Sequence, residues 1–312
     1  MSGSCIVSTG HYQPADVLTN DELSRRVETS DAWIRSRVGI ETRHIAPPGE
    51  SVDFMATQAA KHALGSGHLT PEDIDLVLVA TCTAHDRSPN TAARVAAQLG
   101  ITGTAALDIN VACSGFSHAL ATADHTIRAG AATKALVIGA EKLSDFTDWT
   151  DRSTCVLVGD GAGAAVVQAS PEPMISPVVW GTVPEMSNAV RIEGPGGTLA
   201  QEGQSVYRWT TTVLPGIARD VCERAGVTPE ELSAVVLHQA NLRIIESFVK
   251  RLGAVNAVVA RDVIESGNTS AASIPLALSK MLRSEDIPSG SPVLLFGFGG
   301  GLAYAGQVVR CP

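Results

Sequence analysis

Nowhere in its 312 residues does this chain hold an uninterrupted apolar run of about 18 or more residues, the length a membrane-spanning helix needs. The opening Met-Ser-Gly-Ser-Cys-Ile-Val lacks the basic segment and long apolar stretch of a secretory leader, so the expected location is the cytoplasm and no membrane contact is expected. Basic residues are in the minority, 23 Lys and Arg against 32 Asp and Glu, and a net charge of -9 argues against a general nucleic-acid role. A local basic patch for an acidic partner stays open. The six cysteines, at 5, 82, 113, 155, 222 and 311, include no C-x-x-C pair; no disulfide framework is expected, and most should pack as small buried hydrophobes. The eight histidines lack the paired spacing of a zinc site, which predicts no metal. No G-K-[ST] occurs to make a P-loop.

What the chain has is apolar bulk and a repeat. Hydrophobic residues make up 45% and charged residues 18%, enough for one large core or two fused ones. Thr70-Pro71-Glu72-Asp73-Ile74-Asp75-Leu76-Val77-Leu78-Val79 recurs at 228 to 237, so 228 - 70 gives an offset of 158 residues. Ala135-Leu136-Val137-Ile138-Gly139 falls on residues 293 to 297 by the same offset, about half the chain. A period this long means a duplicated domain, since solenoid repeats span about 20 to 50 residues. Each half reads as short Val/Ile/Leu-rich strands alternating with helical patterns, the mark of βαβ units on buried, mostly parallel sheets. The expected class is therefore α/β, in two halves, 1–170 and 171–312, joined near the prolines at 171, 173 and 177. Glycine-rich residues 181–205 are expected to form a surface flap.

Cys113 follows the strand-like Asp108-Ile109-Asn110-Val111 and opens a helical pattern. A helix N-terminus favours thiolate and would lower the Cys113 pKa. His238 ends the apolar run Ala234-Val235-Val236-Leu237, at the strand end where α/β proteins place functional groups. Asn268 sits in Ser266-Gly267-Asn268-Thr269-Ser270, and the 158-residue offset places it on Asn110, one turn from Cys113. Singly, each residue has an ordinary structural reading: a buried thiol, a satisfied histidine, a helix cap. Related by a pseudo-twofold axis, the two turns would meet and place thiol, imidazole and amide in one pocket. Gly159-Asp160-Gly161-Ala162-Gly163, between the strand-like runs 154–158 and 164–168, reads as a hairpin turn. The run Gly297-Phe298-Gly299-Gly300-Gly301, between strand-like stretches, reads either as a plain turn or as bare backbone for an oxyanion hole.

These segments, Ala112-Cys113-Ser114-Gly115-Phe116, His238-Gln239-Ala240-Asn241-Leu242-Arg243-Ile244 and Gly267-Asn268-Thr269-Ser270-Ala271-Ala272-Ser273-Ile274-Pro275, resemble those of β-ketoacyl-[acyl-carrier-protein] synthase III, a thiolase-fold condensing enzyme. The likeness also covers Thr29 to Ile34, Arg37 to Ile40 and Asp151-Arg152. It implies a thiolase-like layered α-β-α-β-α fold, a homodimer, and decarboxylative condensation of an acyl-CoA primer with malonyl-ACP to start fatty-acid chains, with no separate cofactor. Cys113 would carry the acyl group, His238 and Asn268 would hold the malonyl thioester oxygen, and the N–H groups of Cys113 and Gly300 would form the oxyanion hole. Trp33 and Arg152 would clamp the CoA adenine, with Thr29, Tyr207 and Asn241 along the pantetheine route. Arg37, Arg208, Arg243 and Lys250 would meet the acidic carrier protein.

Two departures stand out. Ser88 precedes Pro89, and Val158 precedes Gly159, where family members can carry an aromatic, which predicts a roomier acyl pocket. The 181–205 flap is shorter than in relatives of this type. The rival readings are a starter-unit ketosynthase or an acyltransferase of a polyketide or other specialised pathway, and a silent partner subunit, which could dispense with the nucleophile. A hydroxymethylglutaryl-CoA synthase-like reaction fits less well, since no carboxylate base stands in the expected motif.

Overall fold

The structure is a computed structural model that describes residues 3–284 and 287–312. The first half runs through β1 (Gly3–Tyr12), β2 (Val17–Thr19), α1 (Asn20–Leu23), α2 (Asp31–Val38), β3 (Thr42–His44), α3 (Val52–Ser66), β4 (Leu76–Ala80), α4 (Thr91–Leu99), β5 (Ala105–Ile109), α5 (Gly115–Arg128), β6 (Lys134–Lys142) and β7 (Asp160–Ser170). The second continues with β8 (Val179–Thr182), β9 (Val190–Arg191), β10 (Ala200–Gln201), α6 (Gly203–Thr212), α7 (Leu214–Arg224), β11 (Ala234–Leu237), α8 (Leu242–Leu252), β12 (Val258–Val259), α9 (Val263–Ser266), α10 (Ser273–Ser284), β13 (Pro292–Gly299) and β14 (Ala303–Arg310).

Two five-stranded sheets carry the duplication, ordered β1-β7-β6-β4-β5 and β8-β14-β13-β11-β12. The parallel pairs β4/β6 and β11/β13 occupy matching places, as do the antiparallel pairs β6/β7 and β13/β14. Strand alternation builds five layers. In β4, Leu76, Leu78 and Ala80 face the central helices α5 and α10, while Val77 and Val79 face α3 and α4 outside. In the second sheet, Val236, Val293 and Leu295 face inward, and Val235, Leu237, Leu294 and Phe296 meet α7 and α8. Burial on both faces explains why these strands read as continuous apolar runs rather than alternating ones. The fold is the thiolase-like α-β-α-β-α arrangement.

Two local expectations are corrected. Residues 154–157 are turns and Val158 makes only an isolated bridge, not a strand, because the Asp151 carboxylate accepts hydrogen bonds from the Ser153 N–H and hydroxyl and the Thr154 hydroxyl, winding the chain. The glycines after them are not a hairpin: Gly161 and Gly163 lie inside β7. There they admit α10, since a Cβ on Gly163 would stand 2.3 Å from the Leu276 nitrogen. The flap at 181–205 is partly ordered as the β9/β10 hairpin.

Candidate active site

The two turns singled out by the repeat are built alike. A single 3-10 turn, Ala112–Ser114, leads into α5, and another, Ser270–Ala272, leads into α10. Ala112 and Ser270, equivalent under the offset, both take left-handed backbone, with φ of 43° and 46°. Outside glycine that region costs about 1–2 kcal/mol, and it is met at sites where the surroundings fix the chain. In each turn the preceding asparagine accepts from the residue two further on: Ala112 N–H to Asn110 Oδ1 at 3.5 Å, and Ser270 N–H to Asn268 Oδ1 at 2.9 Å. With Oδ1 so engaged, the Asn268 amide has its N–H2 free to donate, and Asn268 lines the cavity described below.

Cys113 lies against the end of β13. A Cβ on Gly299 would sit 2.5 Å from the Cys113 Cβ and 2.8 Å from its sulfur, so only glycine allows this approach. The Gly300 N–H and the Ser270 hydroxyl, the latter 3.9 Å from the Cys82 sulfur, are the donors that favour a Cys113 thiolate. The expected lowering of the thiol does not hold: burial outweighs these donors and the helix N-terminus and pushes Cys113 up to about 11. Cys113 rests as the thiol.

His238 directly follows β11, its N–H bonded to the Phe296 carbonyl at 2.9 Å and its ring edge-on to Phe298. Burial alone drives it down to about 3, so the imidazole is neutral at physiological pH. Its Nδ1 is 2.8 Å from the Ser273 hydroxyl, whose oxygen already accepts the Gln239 N–H at 3.2 Å. In the tautomer that gives the serine proton to Nδ1, Nε2–H is left as a donor. Ser273 stood unweighed within the motif read from the sequence.

One carboxylate was missed entirely. Glu141, at the end of β6, is fully buried beneath the site. It accepts from the hydroxyls of Thr83 at 2.5 Å, Ser270 at 3.0 Å and Thr81 at 3.2 Å. The Cys82 N–H and thiol also reach it, the latter at 3.3 Å, and burial raises it above the usual carboxylate range. A glutamate closing an apolar strand run was the available signal.

These groups open into one cavity of about 1120 Å3, lined among others by Cys82, Cys113, His238, Asn268, Phe298 and Gly300. Gly194, Pro195, Gly196 and Leu199 of the flap line it too. At its mouth the Arg152 guanidinium lies 5.0 Å over the Trp33 ring and Arg243 5.7 Å over Tyr207. Trp33, Arg152, Tyr207 and Asn241 line the cavity; Thr29 does not, and its buried hydroxyl has no hydrogen-bond partner among the described residues. Ser88 and Val158 do not line it either: Val158 is fully buried, bridged to Asn268, and its neighbours Val156 and Leu157 face the space instead. Arg37, Arg208, Arg243 and Lys250 are exposed on α2, α6 and α8, and both α2 and α6 pack against α8. Among the described residues none of the four forms an ion pair.

A family model described as 3-oxoacyl-[acyl-carrier-protein (ACP)] synthase III matches residues 107–184, and that of its C-terminal part matches residues 222–311. The beta-ketoacyl-[acyl-carrier-protein] synthase III 2 of Streptomyces avermitilis is 70% identical over 315 residues, covering 100% of both chains. The chain belongs to the β-ketoacyl-[acyl-carrier-protein] synthase III family. It is thus a condensing enzyme of the acyltransferase class. The synthase III 4 of Streptomyces coelicolor is 69% identical over 99% of each chain. Among solved structures, the family member from Aquifex aeolicus superposes with a TM-score of 0.94 at 42% identity, over 99% of this chain and 100% of that one. The priming β-ketosynthase of the R1128 polyketide pathway superposes with a TM-score of 0.97 at 38% identity, over 100% and 97%. No helix among the described residues is long and apolar enough to cross a membrane.

Proposed function

We propose that this member of the family condenses an acyl-CoA primer with malonyl-ACP, with loss of carbon dioxide, to give a β-ketoacyl-ACP and CoA at the start of fatty-acid synthesis. The observation that carries it is the convergence of one thiol and two neutral donors, the His238 Nε2–H and the Asn268 amide, on a single cavity. Neutral donors suit a decarboxylation: they hold the thioester oxygen as it becomes an enolate without giving it a proton. Cys113 attacks the primer thioester, the N–H groups of Cys113 and Gly300 hold the tetrahedral oxyanion, and CoA leaves. The malonyl carboxylate then departs as carbon dioxide, the enolate attacks the acyl-Cys113 carbonyl, and the thiolate is released. Arg152 and Trp33 offer a flat cation and indole to the adenine of CoA, and the exposed Arg37, Arg208, Arg243 and Lys250 the face for the acidic carrier protein. A homodimer is part of the reading; the edge strand β5 leaves Leu107 half exposed and offers one candidate face.

A second reading keeps every step and changes the pathway: priming of a polyketide. The superposition on a priming ketosynthase favours it. A panel of straight and branched acyl-CoAs, offered with malonyl loaded on the fatty-acid carrier protein or on a polyketide carrier protein, separates the two by which pair forms product fastest. No β-ketoacyl product with either carrier protein would overturn both.

A further inference from the structure

A neutral imidazole carries one ring proton, and His238 can donate into the cavity only if that proton sits on Nε2. The choice between the two nitrogens is made at Nδ1. Among the described residues, the group hydrogen-bonded to Nδ1 is the Ser273 hydroxyl, 2.8 Å away. We propose that Ser273 is a positioning residue for the condensation: its hydroxyl donates to His238 Nδ1, which fixes the ring proton on Nε2 and holds that N–H toward the malonyl oxygen.

Hydrogen-bond bookkeeping at Ser273 supports this direction. Ser273 is the first residue of α10 and is fully buried. Its oxygen accepts the Gln239 N–H at 3.2 Å, and among the described residues its only other partner is Nδ1. Gln239 is itself pinned, its side-chain amide reaching the Leu237 and Ala260 carbonyls and the Val263 N–H. Were the ring proton on Nδ1, the hydroxyl would accept twice, and its own hydrogen would be left without an acceptor in the interior, an arrangement that buried polar groups avoid. With the serine proton given to Nδ1, both sides of the contact are satisfied.

The duplication shows that the fold does not need this pair. Subtracting 158 places His238 on Ala80 and Ser273 on Gly115. The strand register agrees, Val79 lying opposite Ile138 as Leu237 lies opposite Phe296. In the first half this junction between strand end and helix start is a bare apolar contact, in which a Cβ on Gly115 would stand 3.0 Å from the Ala80 Cβ. A hydroxyl appears at the start of the helix only in the half where an imidazole ends the strand.

Ser273 has this role in the reaction only on the reading that His238 holds the malonyl oxygen, but the tautomer can be read with no substrate present. Histidine nitrogen NMR on isotope-labelled protein, with the His238 signals identified by their loss in His238→Ala, shows which nitrogen is protonated. Wild type should show Nε2–H alone, and Ser273→Ala should populate Nδ1–H as well. In the same variant, carbon dioxide release from malonyl-ACP should fall at least about tenfold, as for loss of a group that orients a functional histidine, while acylation of Cys113 by acyl-CoA is unchanged. An Nδ1–H tautomer in wild type, or an Nε2–H tautomer that survives intact in Ser273→Ala, would overturn the proposal. If Ser273→Ala does not fold, the wild-type spectrum decides alone. A tautomer that changes while carbon dioxide release does not would instead overturn His238 as the donor to the malonyl oxygen.

Discussion

Enclosure raises the Cys113 thiol to about 11 and, in the proposed reaction, gives the acyl group a cavity in which each donor is fixed before substrate arrives. Gly299 is the residue on which that arrangement turns. Gly299→Ala would drive a methyl group into the Cys113 side chain; acylation of Cys113, followed by intact mass, should slow by at least about 100-fold as the sulfur leaves its oxyanion donors, while the cooperative melt survives. The two donors proposed for the malonyl oxygen separate from the proposed nucleophile in the same way. His238→Ala and Asn268→Ala should each retain acylation by acyl-CoA and lose about 10²–10³ in decarboxylation of malonyl-ACP, measured as carbon dioxide release. Cys113, His238 and Asn268 were legible in the sequence because each sits at a strand end or helix mouth within a recognisable motif. Glu141 was not, since its partners, Thr81, Thr83 and Ser270, arrive from three separate segments. Val158 is drawn off the cavity wall by its backbone bridge to Asn268, and Val156 and Leu157 line the space instead.

The Asn268 turn is held from behind by a residue that reads as unremarkable in the sequence. Arg43 on β3 is fully buried and, among the described residues, has no carboxylate partner; its guanidinium donates to Asn20 Oδ1 at 2.7 Å and to the Val156 carbonyl at 2.8 Å. Its Cβ closes against the Asn268 turn, 3.0 Å from where a Cβ on Gly267 would stand. Arg43→Ala leaves a cavity and two unpaired acceptors, and should cost about 3 kcal/mol in a denaturant melt. Because the Asn268 turn loses its backing, decarboxylation should fall more than Cys113 acylation. The strands and helices themselves were legible, as doubly buried apolar runs at matched positions 158 residues apart. Residues 154–158 were not, because local hydrogen bonds from Asp151 override an apolar composition that suits a strand.

At the scale of the whole molecule, the duplication brings the Cys113 and Asn268 turns together between the sheets, and the same burial makes the fold sensitive to acid. His238 is held down to about 3 and His11 to about 4, against an ordinary 6.5. Between those values and 6.5 the unfolded chain binds protons the folded chain does not, so their contribution is complete above 6.5 and is lost as pH falls, for His238 at up to about 1.4 kcal/mol per pH unit. Glu141 and Asp160, both raised by burial, act in the opposite sense, weakening the fold as pH rises through their folded values. Wild-type melting temperature should therefore drop between pH 7 and 5, and the drop should be smaller in His238→Ala.

The central claim, that Cys113 carries an acyl group from CoA to a decarboxylated malonyl unit, is tested most directly by intact-protein mass spectrometry. Wild type and Cys113→Ala are exposed to a panel of acyl-CoAs and then to malonyl-ACP. The account predicts an acyl adduct on wild type alone, discharged by malonyl-ACP into a β-ketoacyl-ACP with release of carbon dioxide. An adduct that also forms on Cys113→Ala, or one that malonyl-ACP leaves in place, would contradict it.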